Sequence, residues 1–199
     1  EMTISNNYIT KEQVLKLTSP IPPSVNHYLA YRTIMRGGKP IAMSYVTADA
    51  KKYKKAFTEY VKQQAKEQGW VMSDNRFQHY YIDTTFYFPR IDMDCNNYWK
   101  CLFDSISDAE CVWLDDTQAC ERVKGIYYDT ANPRLELTIS PVDYIGIFDN
   151  RTQLDEFEAN CVQCTRYRNG KCSILVKSKE GRIQEDVVNK KCSKHKIKQ

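Results

Sequence analysis

The sequence lacks the features that mark membrane, secreted and disordered proteins. No window approaches the roughly 18 uninterrupted apolar residues of a membrane-spanning helix, and no apolar signal-peptide core stands near the start. Internal repeats and low-complexity tracts are also missing. Hydrophobic residues make up 42% of the 199 residues, with 14 Tyr, 7 Phe and 3 Trp. We therefore expect a folded, soluble chain with room for one medium domain and a small appendage.

Several catalytic motifs are missing too. The sequence has no glycine-rich phosphate loop, no G-x-S-x-G segment and no Cys/His pair at an informative spacing. Nucleotide hydrolysis at a phosphate loop and nucleophilic serine or cysteine catalysis therefore have no support. The chemistry of this chain is expected to come from its charged residues.

Charge is distributed unevenly along the chain. Residues 1–70 carry 11 Lys or Arg against 5 Asp or Glu, residues 71–150 carry 6 against 14, and residues 151–199 carry 12 against 6. Basic segments suit a polyanion, and clustered carboxylates suit a hard cation. The pattern indicates a metal-dependent enzyme acting on nucleic acid, with ordinary surface charge as the alternative.

Hydrophobic periodicity predicts an α+β fold, a small mixed sheet packed by two main helices. Strands are predicted at 14–18, 31–35, 40–46, 77–88, 119–128 and 134–140, and helices at 48–68 and from Asn97 onward. Thr47 is the expected cap of the first helix and Asn96 that of the second. The segment 129–133 reads as the loop of a hairpin between the last two strands.

Two groups in the first third of the chain could contact DNA. The first helix carries a lysine stripe at helical spacing: Lys51, Lys55, Lys62 and Lys66. The stripe either follows a phosphate backbone or is a solvated face. Asn26 and His27 stand in a rigid proline-rich loop, where His27 is equally explained by a local turn contact.

The C-terminal quarter is rich in cysteine. Its four cysteines follow C-x2-C-x7-C-x19-C: Cys161, Cys164, Cys172 and Cys192. Since the segment has little apolar material, a structural Zn²⁺ held by four thiolates is expected to complete its fold. An iron-sulfur cluster, disulfides or free thiols are the alternatives. Arg166, Arg168 and Lys171 around this module are candidates for phosphate contacts.

Carboxylates flank the second predicted helix. Asp92 and Asp94 precede it, and two residues apart in an extended segment they would share one face; Asp115 and Asp116 follow it. If they meet, their oxygens could hold Mg²⁺ for phosphodiester hydrolysis. Lys100 could then direct its ammonium at the scissile phosphate, or it could only form an i,i+4 ion pair with Asp104.

Three segments in order, 22–28 (PPSVNHY), 94–104 (DCNNYWKCLFD) and 112–118 (VWLDDTQ), resemble the RusA family of Holliday-junction resolvases. The resemblance spans about residues 15–140. It implies a homodimeric α/β endonuclease of DNA recombination and repair, common in phages and prophages. Such an enzyme binds four-way junctions and makes paired symmetric nicks with Mg²⁺. It would act in the cytoplasm of a bacterial host, on DNA of the nucleoid.

By the same resemblance, Asp94, Asn96 and Asp115 (or Asp116) hold the metal and Lys100 assists catalysis. Asn96 stands where the family usually has aspartate, and a neutral amide is a weaker ligand for Mg²⁺. Either Asp92 takes its place or the site binds metal less tightly. The alternative function is a nucleic-acid-binding module that cuts poorly or not at all. The expected domains are 1–142, RusA-like, and 143–199, a linker with the Cys-rich module.

Overall fold

A computed structural model describes residues 13–182 and 185–198, and the described chain divides into two compact units. The larger unit contains residues 13–74 and 80–140, and the smaller contains residues 75–79 and 141–198. Residues 1–12 of the predicted first domain lie outside the described residues.

The larger unit has a mixed four-stranded sheet, which confirms the α+β prediction. Its elements are β1 (Leu15–Pro20), α1 (Val25–Tyr28), β2 (Leu29–Arg36), β3 (Lys39–Val46), α2 (Ala48–Glu67), β4 (Tyr80–Phe88), α3 (Trp99–Ser107), β5 (Ala119–Tyr128) and β6 (Arg134–Pro141). Two 3-10 turns, Cys95–Asn97 and Asp116–Gln118, flank α3. The sheet order is β1-β6-β4-β5, and β2 and β3 form a separate hairpin.

The core of the larger unit follows from the alternation of β4. Every second side chain of β4 is buried: Tyr80, Ile82, Thr84, Phe86 and Phe88. Apolar side chains of α2 and α3, such as Val61 and Leu102, are equally buried. Because strand side chains alternate between two faces, one face of the sheet is apolar. That face packs the helices and fixes α3 against the sheet.

The long helix α2 begins and ends where its sequence predicts. Thr47 accepts a hydrogen bond from the Ala50 N–H with its side chain, as an N-cap residue does. After the helix, Gly69 takes a φ of +66°, which stops the helix at little steric cost. Within residues 13–182 and 185–198, no helix combines the length and apolar character needed to cross a membrane.

The strands at 119–128 and 134–140 are confirmed, but the predicted hairpin between them is wrong. β5 pairs with β4 in parallel, and β6 lies between β1 and β4. The connecting segment crosses the end of β4, where the Asp129 N–H donates to the Phe88 carbonyl at 2.8 Å. Turn residues in a sequence indicate that the chain reverses its direction. They do not indicate which strands pair, because pairing depends on how all the strands of the sheet pack together.

The second helix starts later than its predicted first residue. α3 begins at Trp99, and a 3-10 turn at Cys95–Asn97 precedes it. The cap of that turn is Asp94, whose side chain accepts from the Asn96 N–H at 2.9 Å. Asn96 therefore lies inside the turn and does not cap the helix.

The smaller unit has a core of its own. It contains α4 (Arg151–Val162), α5 (Ser173–Lys179) and a two-stranded pair of β7 (Val187–Val188) with β8 (Lys191–Cys192). The buried cluster is Ile145, Phe148, Leu154, Phe157, Cys161, Ile174, Leu175 and Val187. Ile145 and Phe148 come from the segment expected to be a linker. That segment supplies the apolar side chains that the cysteine-rich sequence lacks.

Gly146 is a position at which the smaller unit accepts no side chain. Its φ is +56°, and an added Cβ would overlap the carbonyl oxygens of Ser178 and Lys179. We expect Gly146→Ala to lower the free energy of unfolding of this unit by on the order of 3 kcal/mol, from overlap plus a strained backbone. Urea unfolding followed by circular dichroism measures the change.

Gly170→Ala is the matched control. Gly170 has a φ of +72°, but an added Cβ there meets nothing within 4 Å. It should cost only the backbone term, about 1 kcal/mol. Equal losses in the two variants would show that the contact between Gly146 and α5 is not as tight as described.

Candidate functional site

The candidate site is centred on the first turn of α3. Lys100 places its Nζ 2.8 Å from Asp104 Oδ1, one helical turn on. The other oxygen of Asp104 accepts a hydrogen bond of 2.5 Å from the Tyr28 hydroxyl. The bond with Asp104 is the largest cause that raises the pKa of Lys100. The ammonium therefore stays charged at neutral pH and is held in one place.

A second carboxylate, from the segment that follows α3 in the chain, also approaches Lys100. Asp116 Oδ2 lies 4.0 Å from Lys100 Nζ. Since Lys100 is in the first turn of α3 and Asp94 caps the turn before it, Asp116 returns to the N-terminal part of α3. The chain thus brings its second acidic segment back toward the first.

Asp94 and Asp115 have the same local role. Each caps a 3-10 turn through one carboxylate oxygen: Asp94 accepts from the Asn96 N–H, and Asp115 accepts from the Thr117 N–H at 2.9 Å. Gln118 completes a capping box with Asp115. The hydrogen bonds from Thr117 lower the pKa of Asp115, so this exposed carboxyl is ionised at neutral pH.

Asp92 has a different setting from the one predicted. The chain turns at residues 91–92, so the argument that Asp92 and Asp94 share a face, which needs an extended segment, does not apply. Asp92 pairs instead with Arg90, whose Nε lies 2.9 Å from Oδ1. Asp92 and Asp94 both raise the pKa of Tyr98, after burial as the largest cause. Both acids are therefore electrostatic neighbours of Tyr98, the residue that precedes α3.

The donor atoms at this site fit a hard cation, although they are not gathered around one point. Among residues 13–182 and 185–198, no three or more His, Cys, Asp or Glu side chains are grouped so as to hold a metal ion. Asp94, Asn96 and Asp115 are all exposed and offer carboxylate or amide oxygens, the ligands that Mg²⁺ prefers. Because each cap uses one carboxylate oxygen, the other oxygen can bind a cation.

The predicted DNA contacts lie at the surface. The lysine stripe, Lys51, Lys55, Lys62 and Lys66, is exposed along α2, and Lys62 pairs with Glu59 at 3.0 Å. Asn26 and His27 are exposed but lie in the short helix α1, not in the predicted loop, and His27 makes a local contact with its Nδ1 2.9 Å from Ser24 Oγ. In the smaller unit, Arg166, Arg168 and Lys171 are exposed as well. Their binding of DNA stays a prediction.

Sequence reasoning missed Tyr28 and the structural role of Asp104. Tyr28 is buried at the end of α1, and Asp104 is partly buried with both oxygens engaged. Burial, followed by the hydrogen bond to Asp104, raises the pKa of Tyr28, so the phenol stays protonated and donates. The i,i+4 spacing of Lys100 and Asp104 was visible in the sequence, whereas the contact with Tyr28 joins positions 76 residues apart.

The four C-terminal cysteines are neighbours in the smaller unit. Burial, followed by like charge from Cys172, Cys192 and Cys164, raises the pKa of Cys161 to about 12. The pKa of Cys164 is lowered instead. Its sulfur accepts the Lys196 N–H at 3.4 Å and further backbone N–H bonds from Arg166 and Tyr167, which lower its pKa.

The larger unit is an α+β domain with carboxylates and a held lysine near the start of one helix. A family model described as Endodeoxyribonuclease RusA matches residues 20–140. The match covers more than half of the chain, so this chain belongs to the RusA family of Holliday-junction-resolving endodeoxyribonucleases. Enzymes of this family depend on divalent metal and bind branched DNA, generally as dimers. No curated protein matches the chain.

Proposed function

We propose that this chain resolves four-way DNA junctions by paired symmetric nicks, with Mg²⁺ as its cofactor. One observation carries the assignment of the site: within the segment that matches the family, Lys100 lies between Asp104 and Asp116 at the start of α3. Phosphodiester hydrolysis needs cationic groups held in advance where charge develops.

The proposed roles follow from the contacts. Asp94 and Asp115 are the principal metal ligands, and Asp116 and Asn96 complete the set, with Asp92 as an auxiliary acid. These residues would hold Mg²⁺, which would supply neutralisation of phosphate charge and activation of water. Lys100 directs its ammonium at a phosphate oxygen. Tyr28 and Asp104 are positioning residues, because Asp104 holds Lys100 and Tyr28 holds Asp104.

A homodimer and a phage or prophage origin complete the proposal. Paired nicks need two active sites, one for each of two opposing strands. The segment 71–150 that contains the site has 14 acidic against 6 basic residues, so a basic DNA-binding surface must draw on other segments or on a second copy. We expect the enzyme to act in the cytoplasm of a bacterial host, on DNA of the nucleoid.

The test is cleavage of a mobile synthetic four-way junction with Mg²⁺, with plain duplex and flap DNA beside it. Symmetric nicks in two opposing strands of the junction support the proposal. Equal cutting of all three substrates would indicate a general nuclease. Binding of the junction without nicks would favour the alternative, a binding module that uses the basic C-terminal unit.

For the smaller unit we propose a structural Zn²⁺ held by Cys161, Cys164, Cys172 and Cys192. The support is that Cys172 and Cys192 pack against the buried cluster that contains Cys161, and that the Cys164 sulfur accepts the Lys196 N–H. Such bonds stabilise a thiolate, the form that binds zinc. Exposed Arg166, Arg168 and Lys171 would then add phosphate contacts from a metal-stabilised module.

Elemental analysis of the purified full chain tests the zinc site. We expect about one zinc per chain, lost in Cys164→Ser and kept in Cys120→Ser, whose cysteine lies in the larger unit. If the protein instead contains iron and absorbs visible light, the cysteines hold an iron-sulfur cluster and not zinc. Less than about half an equivalent of either metal in the unaltered chain would reject the tetrathiolate site.

A further inference from the structure

The hairpin of β2 and β3, residues 29–46, has no buried side chain along its length. Its two strands are joined by Gly37 and Gly38, whose φ angles of 58° and 75° are those of a tight type I′ turn. Large apolar side chains remain exposed on it, among them Tyr31 at 74% and Met35 at 68%. Since an isolated two-stranded hairpin is marginally stable in water, a binding partner would stabilise it.

The two faces of the hairpin differ in charge. In the strand register, Arg32 is opposite Met43 and Arg36 is opposite Lys39, and both pairs lie on one face. Residues 29–46 contain no Asp or Glu, so all the charge of the hairpin is positive and on that face. Arg32 also lies 5.7 Å from the centre of the Tyr45 ring. A face of cations and an aromatic ring without any carboxylate suits nucleic acid.

The base of the hairpin is joined to the candidate site. Tyr28, the residue before β2, donates to Asp104, which holds Lys100. The other strand, β3, is followed by Thr47. The Thr47 N–H donates to the Tyr28 carbonyl at 3.1 Å, and its hydroxyl donates to the His27 carbonyl at 2.7 Å. The Tyr28 end of the hairpin is therefore two hydrogen bonds from Lys100, and the Thr47 end is three.

We propose that the hairpin is a DNA-binding arm, whose basic face (Arg32, Arg36 and Lys39) holds the backbone of branched DNA bound at the site. This inference rests on the proposed function and adds the surface that positions the substrate. Eight residues of strand extend about 26 Å, which spans roughly three-quarters of a turn of duplex. A two-stranded ribbon is also narrow enough for the major groove.

The test uses the full chain with Arg36→Gln and Lys39→Gln together, and a junction binding series in several salt concentrations without Mg²⁺. Loss of two phosphate contacts should reduce the slope of log affinity against log salt by about 1.8. We expect about tenfold weaker binding at moderate salt, and nicking within about twofold of the unaltered protein when enzyme saturates the junction. Unchanged nicking at saturation separates binding by the arm from chemistry at Lys100.

The control is Lys16→Gln with Lys124→Gln, which removes the same two charges from exposed positions on β1 and β5. An equal slope in the two double variants would overturn the proposal, because net charge alone would then explain the effect.

Sedimentation of the hairpin variant gives the other decisive outcome. If it is monomeric where the unaltered chain is dimeric, the hairpin binds a second copy and the arm is rejected. If the unaltered chain binds the junction without nicking it, the proposed function fails while the salt-slope result still stands.

Discussion

Asp94→Asn and Asp115→Asn are each expected to reduce nicking of a four-way junction by about 10³-fold or more. A metal that stabilises charge on the transition state contributes several kcal/mol, and about 4 kcal/mol corresponds to a factor of about 10³ in rate. Binding of the junction without metal should be unchanged or slightly tighter, since each variant removes a negative charge from a surface that faces phosphate.

Asparagine is the informative replacement at both positions. Each aspartate caps a 3-10 turn by accepting one backbone N–H, and an asparagine oxygen accepts the same bond. The variants therefore remove charge and keep the local fold, which circular dichroism checks. The rate is measured in single-turnover conditions over a series of Mg²⁺ concentrations.

Asp155→Asn is the matched control for loss of a carboxylate. Asp155 is an exposed acid in α4, paired with Arg151 at 2.8 Å and outside the segment that matches the family. Its replacement should leave nicking unchanged. Wild-type rates in both Asp94→Asn and Asp115→Asn would remove the two principal ligands from the proposal and leave the acidic segments as caps alone.

The elements that the sequence predicted best were those with a strong local cause. The period of α2, its cap Thr47 and the stop at Gly69 are all set by neighbours a few residues apart, and the structure keeps all three. The order of strands was not predictable in this way. Whether β6 pairs with β5 or enters between β1 and β4 depends on the burial of whole strand faces.

At the candidate site, too, features set by near neighbours in the sequence were predictable and those set by distant contacts were not. The acidic segments and Lys100 could be found from residue type and spacing, as could the Lys100–Asp104 pair. Tyr28 could not, because its bond to Asp104 closes a loop of 76 residues. The prediction that Asp92 shares a face with Asp94 was wrong. It assumed an extended backbone, and the chain turns at residues 91–92.

Lys100→Gln is expected to lower the rate of nicking by about 10²- to 10³-fold, the usual cost of losing one prearranged charge-stabilising donor. Affinity for the junction should fall far less, because one exposed cation is a small share of the contacts to phosphate. The single-turnover rate and the metal-free affinity, measured on the same preparation, separate the two effects.

The competing interpretation of Lys100 is an ordinary ion pair on the helix surface, and the chain contains a control for it. Lys54 of α2 pairs with Asp108, the C-cap residue of α3. Its N–O distance of 2.8 Å equals that of the Lys100–Asp104 pair. A partly exposed ion pair of this kind contributes on the order of 1 kcal/mol, so Lys54→Gln should lower stability by about that amount and leave nicking nearly unchanged. If Lys100→Gln loses no more activity than Lys54→Gln, the ammonium stabilises α3 only. If it alone loses the rate while both variants unfold at similar urea concentrations, the lysine acts on the phosphate, and Tyr28 and Asp104 are there to hold it.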